Sequence, residues 1–541
     1  MNKKLLLMIV LIISIYKGHV PIVAAEFSIN QDINYECTSS EICIVSSNIR
    51  ITNNTNEKFV SEYELNTGLK EISEISALDY KNRALLTEVN SVDNQSNIKI
   101  NLENPILGQG SITEISIKYK TKETIKHTGK IWEISIPKIK KTEEIEDVKV
   151  TVSVPNDFES LMYVTPSPIS KKDTNSIITY AFDSETTKDG INIVFGEYQL
   201  FNFEIYYYLE SDSHFWSKTI EVPFPPNIEE VQKVFISRLN IEPESLIIDK
   251  EGNYIAQYKL DPGQTKRVEI YGLIQIFNKE IDPAKGGRFE DMPKNYVEEY
   301  TKQQRYWESQ DTKIIDIANS LIDKDKTISE NAKEVYIYTT SNLEYSVEKT
   351  SRDYLERLGA LKALQNPQDS VCMEFTDLTI ALLRAMGIPA REINGYAYSE
   401  DLVRRPLSVF YDNNKDLLHS WVEFFDPKFG WVEIDPTWGQ TSGLDFFSKL
   451  GVNHIVFVRK GNPEYPIPPG VYKDTASNKK SVIITFGNEK LLNGDLKNLD
   501  SFVDKNKKSN LLFITLIVLS TAPALYMIYL VLKGLLTDPR K

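Results

Sequence analysis

From residue 26 to about 218, apolar positions recur every second residue: Ile115, Ile117, Tyr119; then Val148, Val150, Val152, Val154; then Phe201, Phe203, Ile205, Tyr207, Leu209. A period of two puts one set of side chains on a single strand face, so residues 26–218 are expected to form a β-sandwich-like domain. Glu221-Val222-Pro223-Phe224-Pro225-Pro226 breaks the pattern. Clustered prolines favour extended backbone and cannot join a central sheet, which sets a linker and a boundary near 220. Residues 219–285 then read as a small β or α+β domain, with one helical stretch and strands around Tyr254–Leu260 and Val268–Ile276.

After Asp282-Pro283-Ala284-Lys285-Gly286-Gly287, helical segments are expected around 311–322 and 328–342. A further helix starts at Cys372, where Phe375, Leu378, Thr379, Leu382 and Met386 keep helical spacing until Gly387 and Pro389 end it. LLHSWVEFF and WVEIDPTW are strand-like runs on either side of Asp426-Pro427-Lys428-Phe429-Gly430, a hairpin connection. Residues 286–460 are thus an α+β domain. Prolines from Pro463 to Pro469, a short strand at Val482–Phe486 and a charged stretch make 461–509 a stalk.

The two ends carry targeting signals. Lys3-Lys4 followed by Leu5–Ile15, with Val23-Ala24-Ala25 at the cleavage position, reads as a signal peptide over 1–25. Leu511–Leu532 is continuously apolar and about the ~20 residues needed to cross a bilayer. The multidomain chain is therefore expected to end in a C-terminal transmembrane helix at 510–532 and a cytoplasmic tail at 533–541. Its expected location is the cell membrane, single-pass, with the soluble domains extracytoplasmic. Cys37 and Cys43 are near enough in sequence to pair across a short turn in an oxidising compartment, leaving Cys372 odd; three free thiols are the alternative.

With 76 acidic against 62 basic residues and a net charge of −14, the chain repels polyanions, and nucleic acid is not an expected partner. No Walker-type or dinucleotide glycine-rich loop and no zinc-spaced His/Cys cluster occurs, so neither cofactor nor metal is expected.

The candidate chemistry is nucleophilic. Cys372 falls in the first turn of its helix, where unpaired N–H groups and the macrodipole favour a thiolate. His419 enters the hairpin and Asp435 leaves it. If Phe425 lies opposite Trp431, His419 faces Thr437 and Asp435 is its diagonal neighbour on the same face. Cys372, His419 and Asp435 are the candidate catalytic residues: nucleophile, proton carrier, and the carboxylate that fixes the imidazole. His454, in NHIVFVRKG, reads as a surface strand residue. Glu374 and Glu423 read as solvated or salt-bridged, and Trp421, Trp431 and Trp438 mainly as packing.

DSVCMEFTDLTIALLRAMGIPAREINGYAY, followed by LLHSWVEFFDPKFGWVEIDPTWG, resembles the core of the transglutaminase-like superfamily. The shared pattern is a Cys-initiated helix ending in Gly-Ile-Pro-Ala-Arg, a strand to Gly-Tyr, then His-Trp-x-Glu and Gly-Trp-x-x-x-Asp-Pro. The resemblance implies a papain-like α+β core, with the Cys helix packed on an antiparallel sheet that carries His and Asp. It also implies cysteine-dependent amide acyl transfer through a thioester on a protein or peptide substrate. Water as acceptor would make the protein a peptidase or amidase, an amine a crosslinking transglutaminase. Asp369-Ser370-Val371 departs from the family, which usually carries a Gly one or two positions before the Cys, and this bears on the oxyanion hole. The Cys372 N–H can supply one donor there; Tyr345, Asn342 and Gln368 are candidates for the second. The reading from another class is a non-catalytic cell-surface binding or assembly protein, with the core as scaffold and the β domains holding a partner.

Overall fold

The computed structural model describes residues 25–503, apart from 93–94, 140–141, 143, 157, 159, 351, 353–354, 398–417, 443–444, 473–479 and 489–495. The chain divides into two compact units after Glu197. In the first, a seven-stranded sheet runs in the order Ser170–Asp173, Ile177–Phe182, Ile145–Pro155, Phe27–Thr38, Ile42–Asn53, Ile112–Thr121, Ser73–Asp79. Its period-two faces bury Val148, Val150, Val152 and Val154 with Val45 and Ile49, against Ile134, Ile136, Ile191, Ile193 and Phe195 of a four-stranded sheet. Cys37 and Cys43 lie directly opposite each other in the Phe27–Thr38/Ile42–Asn53 hairpin and form a disulfide.

Several expected boundaries move. The alternating strand Gln199–Glu210 belongs to the second unit, because it pairs along its whole length with Thr265–Ile276 in a five-stranded sheet. The proline-rich stretch is not a free linker: Lys218–Phe224 is a strand paired with Tyr254–Leu260. It lies at the edge of a three-stranded sheet, the position where Pro223 costs no ladder bond. No helix forms between 227 and 278, where Gln232–Leu239 is a strand. Nor is 461–503 a stalk standing clear of the fold, since Val482–Phe486 pairs with Phe201–Ile205 as a further strand of the five-stranded sheet.

The expected fold class is also corrected. The architecture is mostly β-sheet with a few helices, and no helix among the described residues is long and apolar enough to cross a membrane. The longest, Ile328–Asn342, has 15 residues, about 22 Å at ~1.5 Å per residue, short of a ~30 Å hydrocarbon core. A C-terminal transmembrane helix and a single-pass membrane location are therefore not carried forward. Residues 510–541 and the expected leader up to residue 24 lie outside the described residues.

Within the second unit, six elements build the core that concerns function: α1 (Ile328–Asn342), α2 (Cys372–Ala385), β1 (Ala390–Ala397), β2 (His419–Asp426), β3 (Gly430–Ile434) and β4 (His454–Lys460). The sheet order is β3-β2-β1-β4, antiparallel throughout. Helix α1 starts at a capping box between Thr327 and Glu330, which satisfies donors the helix cannot. Phe375, Leu378 and Leu382 of α2 are buried with Ala332 and Val335 of α1 and Val422, Phe424 and Ile434 of the sheet. Gly387 takes φ of +82° just past α2, a left-handed conformation that favours glycine and turns the chain into β1. The β2–β3 hairpin has the expected register, with Phe425 opposite Trp431.

Removing the disulfide with Cys37→Ala/Cys43→Ala is expected to lower stability by about 2 kcal/mol, because so short a closed loop constrains the unfolded chain only modestly. Urea denaturation checks this; a loss under about 0.5 kcal/mol would mean the hairpin stands on its strand pairing alone.

Candidate active site

Cys372 is the first residue of α2 and the sole free cysteine among the three in the chain. Val371 precedes it and offers no side-chain cap, so the first-turn N–H groups are not taken up by one. The cap comes from inside the helix: Glu374 Oε2 accepts the Val371 N–H at 2.9 Å and Oε1 accepts the Leu358 N–H at 2.9 Å. Glu374 is fully buried and pairs with Lys349 Nζ at 3.0 Å, and the same ammonium donates to the Asp369 carbonyl at 3.0 Å. Ser346 N–H holds the Ser370 carbonyl at 2.8 Å. This loop explains the missing glycine. Ser370 (φ −105°) and Val371 (φ −124°) are extended, a conformation that any side chain adopts.

His419 opens β2 opposite Gly395 of β1. A Cβ on Gly395 would sit 2.6 Å from the Trp421 ring and collide with the Ile455 carbonyl, so a glycine is required for the strands to close here. His419 Nε2 meets Asp435 Oδ2 at 2.6 Å, and Cys372 is near enough to act on the same ring. Asp435, completely buried, follows the end of β3 and accepts the N–H groups of Thr437 and Trp438 on Oδ1 at 2.9 and 3.0 Å. Of the three residues named from sequence, His419 and Asp435 meet directly, and Cys372 acts on the same imidazole.

The charges follow from these contacts. Burial works against a charged His419, yet the charge and hydrogen bond of Asp435, followed by the hydrogen bond and charge of Cys372, carry its pKa up to about 10. Burial likewise disfavours a charged Asp435, but His419 and then His454 hold its carboxyl well below the usual range. An imidazolium held between a carboxylate and a thiol at a helix N-terminus suits nucleophilic acyl chemistry.

Other sequence readings change. His454 is not a surface residue; it is buried, with Nε2 3.0 Å from Asp435 Oδ2 and Nδ1 3.0 Å from Asn453 Oδ1. The signal that could have placed it is the unbroken run His454-Ile455-Val456-Phe457-Val458, which lacks alternation and so marks a strand covered on both faces. His419, Asp435 and His454 together could also meet a metal ion, with ligand atoms within 4.8 Å of one another, but they converge on one oxygen rather than around an open point. Trp421 and Trp438 are buried around the two imidazoles, and Trp431 packs on Tyr300 and Phe425. Glu423 is paired with Arg391 at 2.6 Å. Of the suggested oxyanion donors, the Asn342 amide is spent on the Tyr338 carbonyl and Gln368 lies in the turn before Cys372, whereas Tyr345 bridges Ser370, two residues from Cys372.

Sequence reasoning also missed the charges beneath α2. Arg357 Nε donates to Asp377 at 2.9 Å, its Nη2 reaches Glu392 at 3.0 Å, and Trp307 donates to Asp377 at 2.8 Å. Ser420, next to His419, donates to Glu392 at 3.0 Å, and its oxygen lies 3.2 Å from the hydroxyl of Thr376, one turn after Cys372. These contacts fasten the Cys helix to the His strand.

Because His419 keeps its proton to about pH 10 when folded and would lose it near 6.5 when unfolded, its contribution to stability is complete below about 6.5 and is lost as pH rises towards 10. Asp435, lowered from 3.8, contributes above that value and loses its contribution as pH falls. The stability gap between wild type and His419→Gln should therefore be widest between about pH 4 and 6.5 and shrink by pH 9.5. Urea midpoints at pH 6 and 9.5 check this; a gap independent of pH would contradict the buried ion pair.

Residues 315–436 match the family model of the transglutaminase-like superfamily. Over 164 residues the chain is 29% identical to the uncharacterized protein YebA of Bacillus subtilis, covering 28% of this chain and 21% of that protein. Over 75 residues it is 32% identical to a protein-glutamine gamma-glutamyltransferase of Pseudomonas aeruginosa, covering 14% of this chain and 11% of the other. The chain thus spans about a fifth and about a tenth of the length of these curated relatives. A crystal structure described as a candidate cysteine protease from Cytophaga hutchinsonii superposes with a TM-score of 0.35 at 18% identity, over 54% of this chain and 87% of that one. Residues 315–436, which hold Cys372, His419 and Asp435, are a transglutaminase-like superfamily core.

Proposed function

We propose that this core carries out cysteine-dependent amide acyl transfer through a thioester, on a protein or peptide substrate. The observation that carries the reading is His419, hydrogen-bonded at 2.6 Å to a buried carboxylate, with Cys372 at the start of its helix near enough to raise the proton affinity of the same ring. The Cys372 sulfur attacks the amide carbon while its proton resides on His419. The C–N bond then breaks as the imidazolium gives that proton to the departing nitrogen, and an amine or ammonia leaves. Asp435 keeps Nε2 protonated and the ring in place through both steps. The thioester is cleared by an acceptor whose proton His419 takes in turn.

Water is the acceptor we favour. Keeping water from a thioester needs a shaped channel for an amine, and nothing in the sequence marks one. The relative named for glutamine gamma-glutamyl transfer supports glutamine side chains as acyl donors.

The test is a glutamine-containing peptide library incubated with the protein and a primary amine, read by mass spectrometry. Hydrolysed or deamidated peptides are expected, with turnover falling about a thousandfold or more in Cys372→Ala. Amine-labelled peptides would move the acceptor from water to amine. Equal turnover in Cys372→Ala would overturn the reading.

A further inference from the structure

We infer that His454 is a fourth member of the site: a positioning residue that holds Asp435 from the side opposite His419, so that His419 stays aligned with Cys372. This inference rests on the acyl-transfer reading above and extends it. His454 lies beyond residues 315–436, the span that matches the superfamily, and opens β4 on the far side of β1 from β2.

The geometry allows one arrangement of hydrogens at Asp435. Its two oxygens receive four contacts: the N–H groups of Thr437 and Trp438 on Oδ1, and His419 Nε2 at 2.6 Å and His454 Nε2 at 3.0 Å on Oδ2. An ionised carboxylate only accepts, so both imidazoles must present N–H to it. Two donors on one oxygen fix its direction better than one, and a hydrogen bond to a charged group contributes about 1.5–3 kcal/mol.

His454 is itself immobilised. Its Nδ1 is 3.0 Å from Asn453 Oδ1, and its ring lies 4.9 Å from Trp438 and 5.1 Å from Trp421. Both indoles also flank His419, at 6.2 and 5.7 Å, so the two imidazoles share one aromatic enclosure. Behind His454 is a cavity of about 30 Å³, bounded also by Trp431, Phe447, Leu450 and Glu433.

The test uses the full chain and needs no substrate, because Cys372 is the sole free thiol and iodoacetamide labelling reports it alone. Wild type, His419→Ala, His454→Phe and His454→Gln are compared at pH 7, each with its melting temperature. His454→Phe keeps an aromatic ring and loses the donor; His454→Gln restores an N–H at about the reach of Nε2. We expect His454→Phe to label about tenfold more slowly than wild type and His454→Gln to recover to within about threefold, a hydrogen bond to a charged group being of that size. Once a substrate is in hand, the same loss should appear in kcat with KM unchanged, since His454 touches no substrate.

If His454→Phe labels as fast as wild type while His419→Ala is slow, the positioning role fails and the three-residue site stands. If His454→Gln is as slow as His454→Phe and both melt early, His454 is a packing residue and the inference fails. If His419→Ala itself labels like wild type, the acyl-transfer reading and this inference fall together.

Discussion

The rest of the site depends on one buried carboxylate. Asp435 has no exposed surface and is nevertheless charged, a state that would be prohibitively costly without partners. Two backbone N–H groups and two imidazoles supply them. That requirement dictates local structure: the chain must turn into the short helix Pro436–Ser442 immediately after Asp435, β2 must bring His419 alongside, and β4 must bring His454. The raised proton affinity of His419, and so its fitness to sit opposite a thiol, is a consequence of the same charge.

A second set of buried charges decides where the thiol lies. Lys349 with Glu374, and Arg357 with Asp377 and Glu392, are ion pairs with little or no solvent access. Such pairs contribute little net stability compared with apolar packing, but removing one partner strands the other at about 3–5 kcal/mol. Glu374 ties the first turn of α2 to the preceding loop, and Ser420 with Thr376 ties that turn to β2. Cys372 and His419 are thus placed by polar contacts of fixed direction on a frame that apolar burial alone would leave free to slide.

The helix that starts at Cys372, the hairpin and its register were legible in the sequence because each rests on local rules: helical spacing from Phe375 to Met386, turn residues between Asp426 and Gly430, and strand pairing counted outward from Phe425 and Trp431. Long-range pairing was not legible. Nothing local in Phe201–Leu209 reveals that its partner is Thr265–Ile276 rather than the first sandwich, and nothing local in Val482–Phe486 reveals an edge to join. Val222-Pro223-Phe224 reads as a linker until the sheet edge that tolerates Pro223 is known. His454 was misjudged for a different reason. A lone histidine was weighed by its own chemistry rather than by the buried strand that carries it, and the need of Asp435 for a further donor appears only when its burial is seen.

If Cys372 forms a covalent acyl intermediate, acid quench followed by digestion and mass spectrometry captures it. Wild-type protein mixed with a peptide it turns over should carry a hydroxylamine-labile acyl group on the peptide containing Cys372. Substrate consumed with Cys372 unmodified at every quench time, or an acyl group on another residue, would contradict the account.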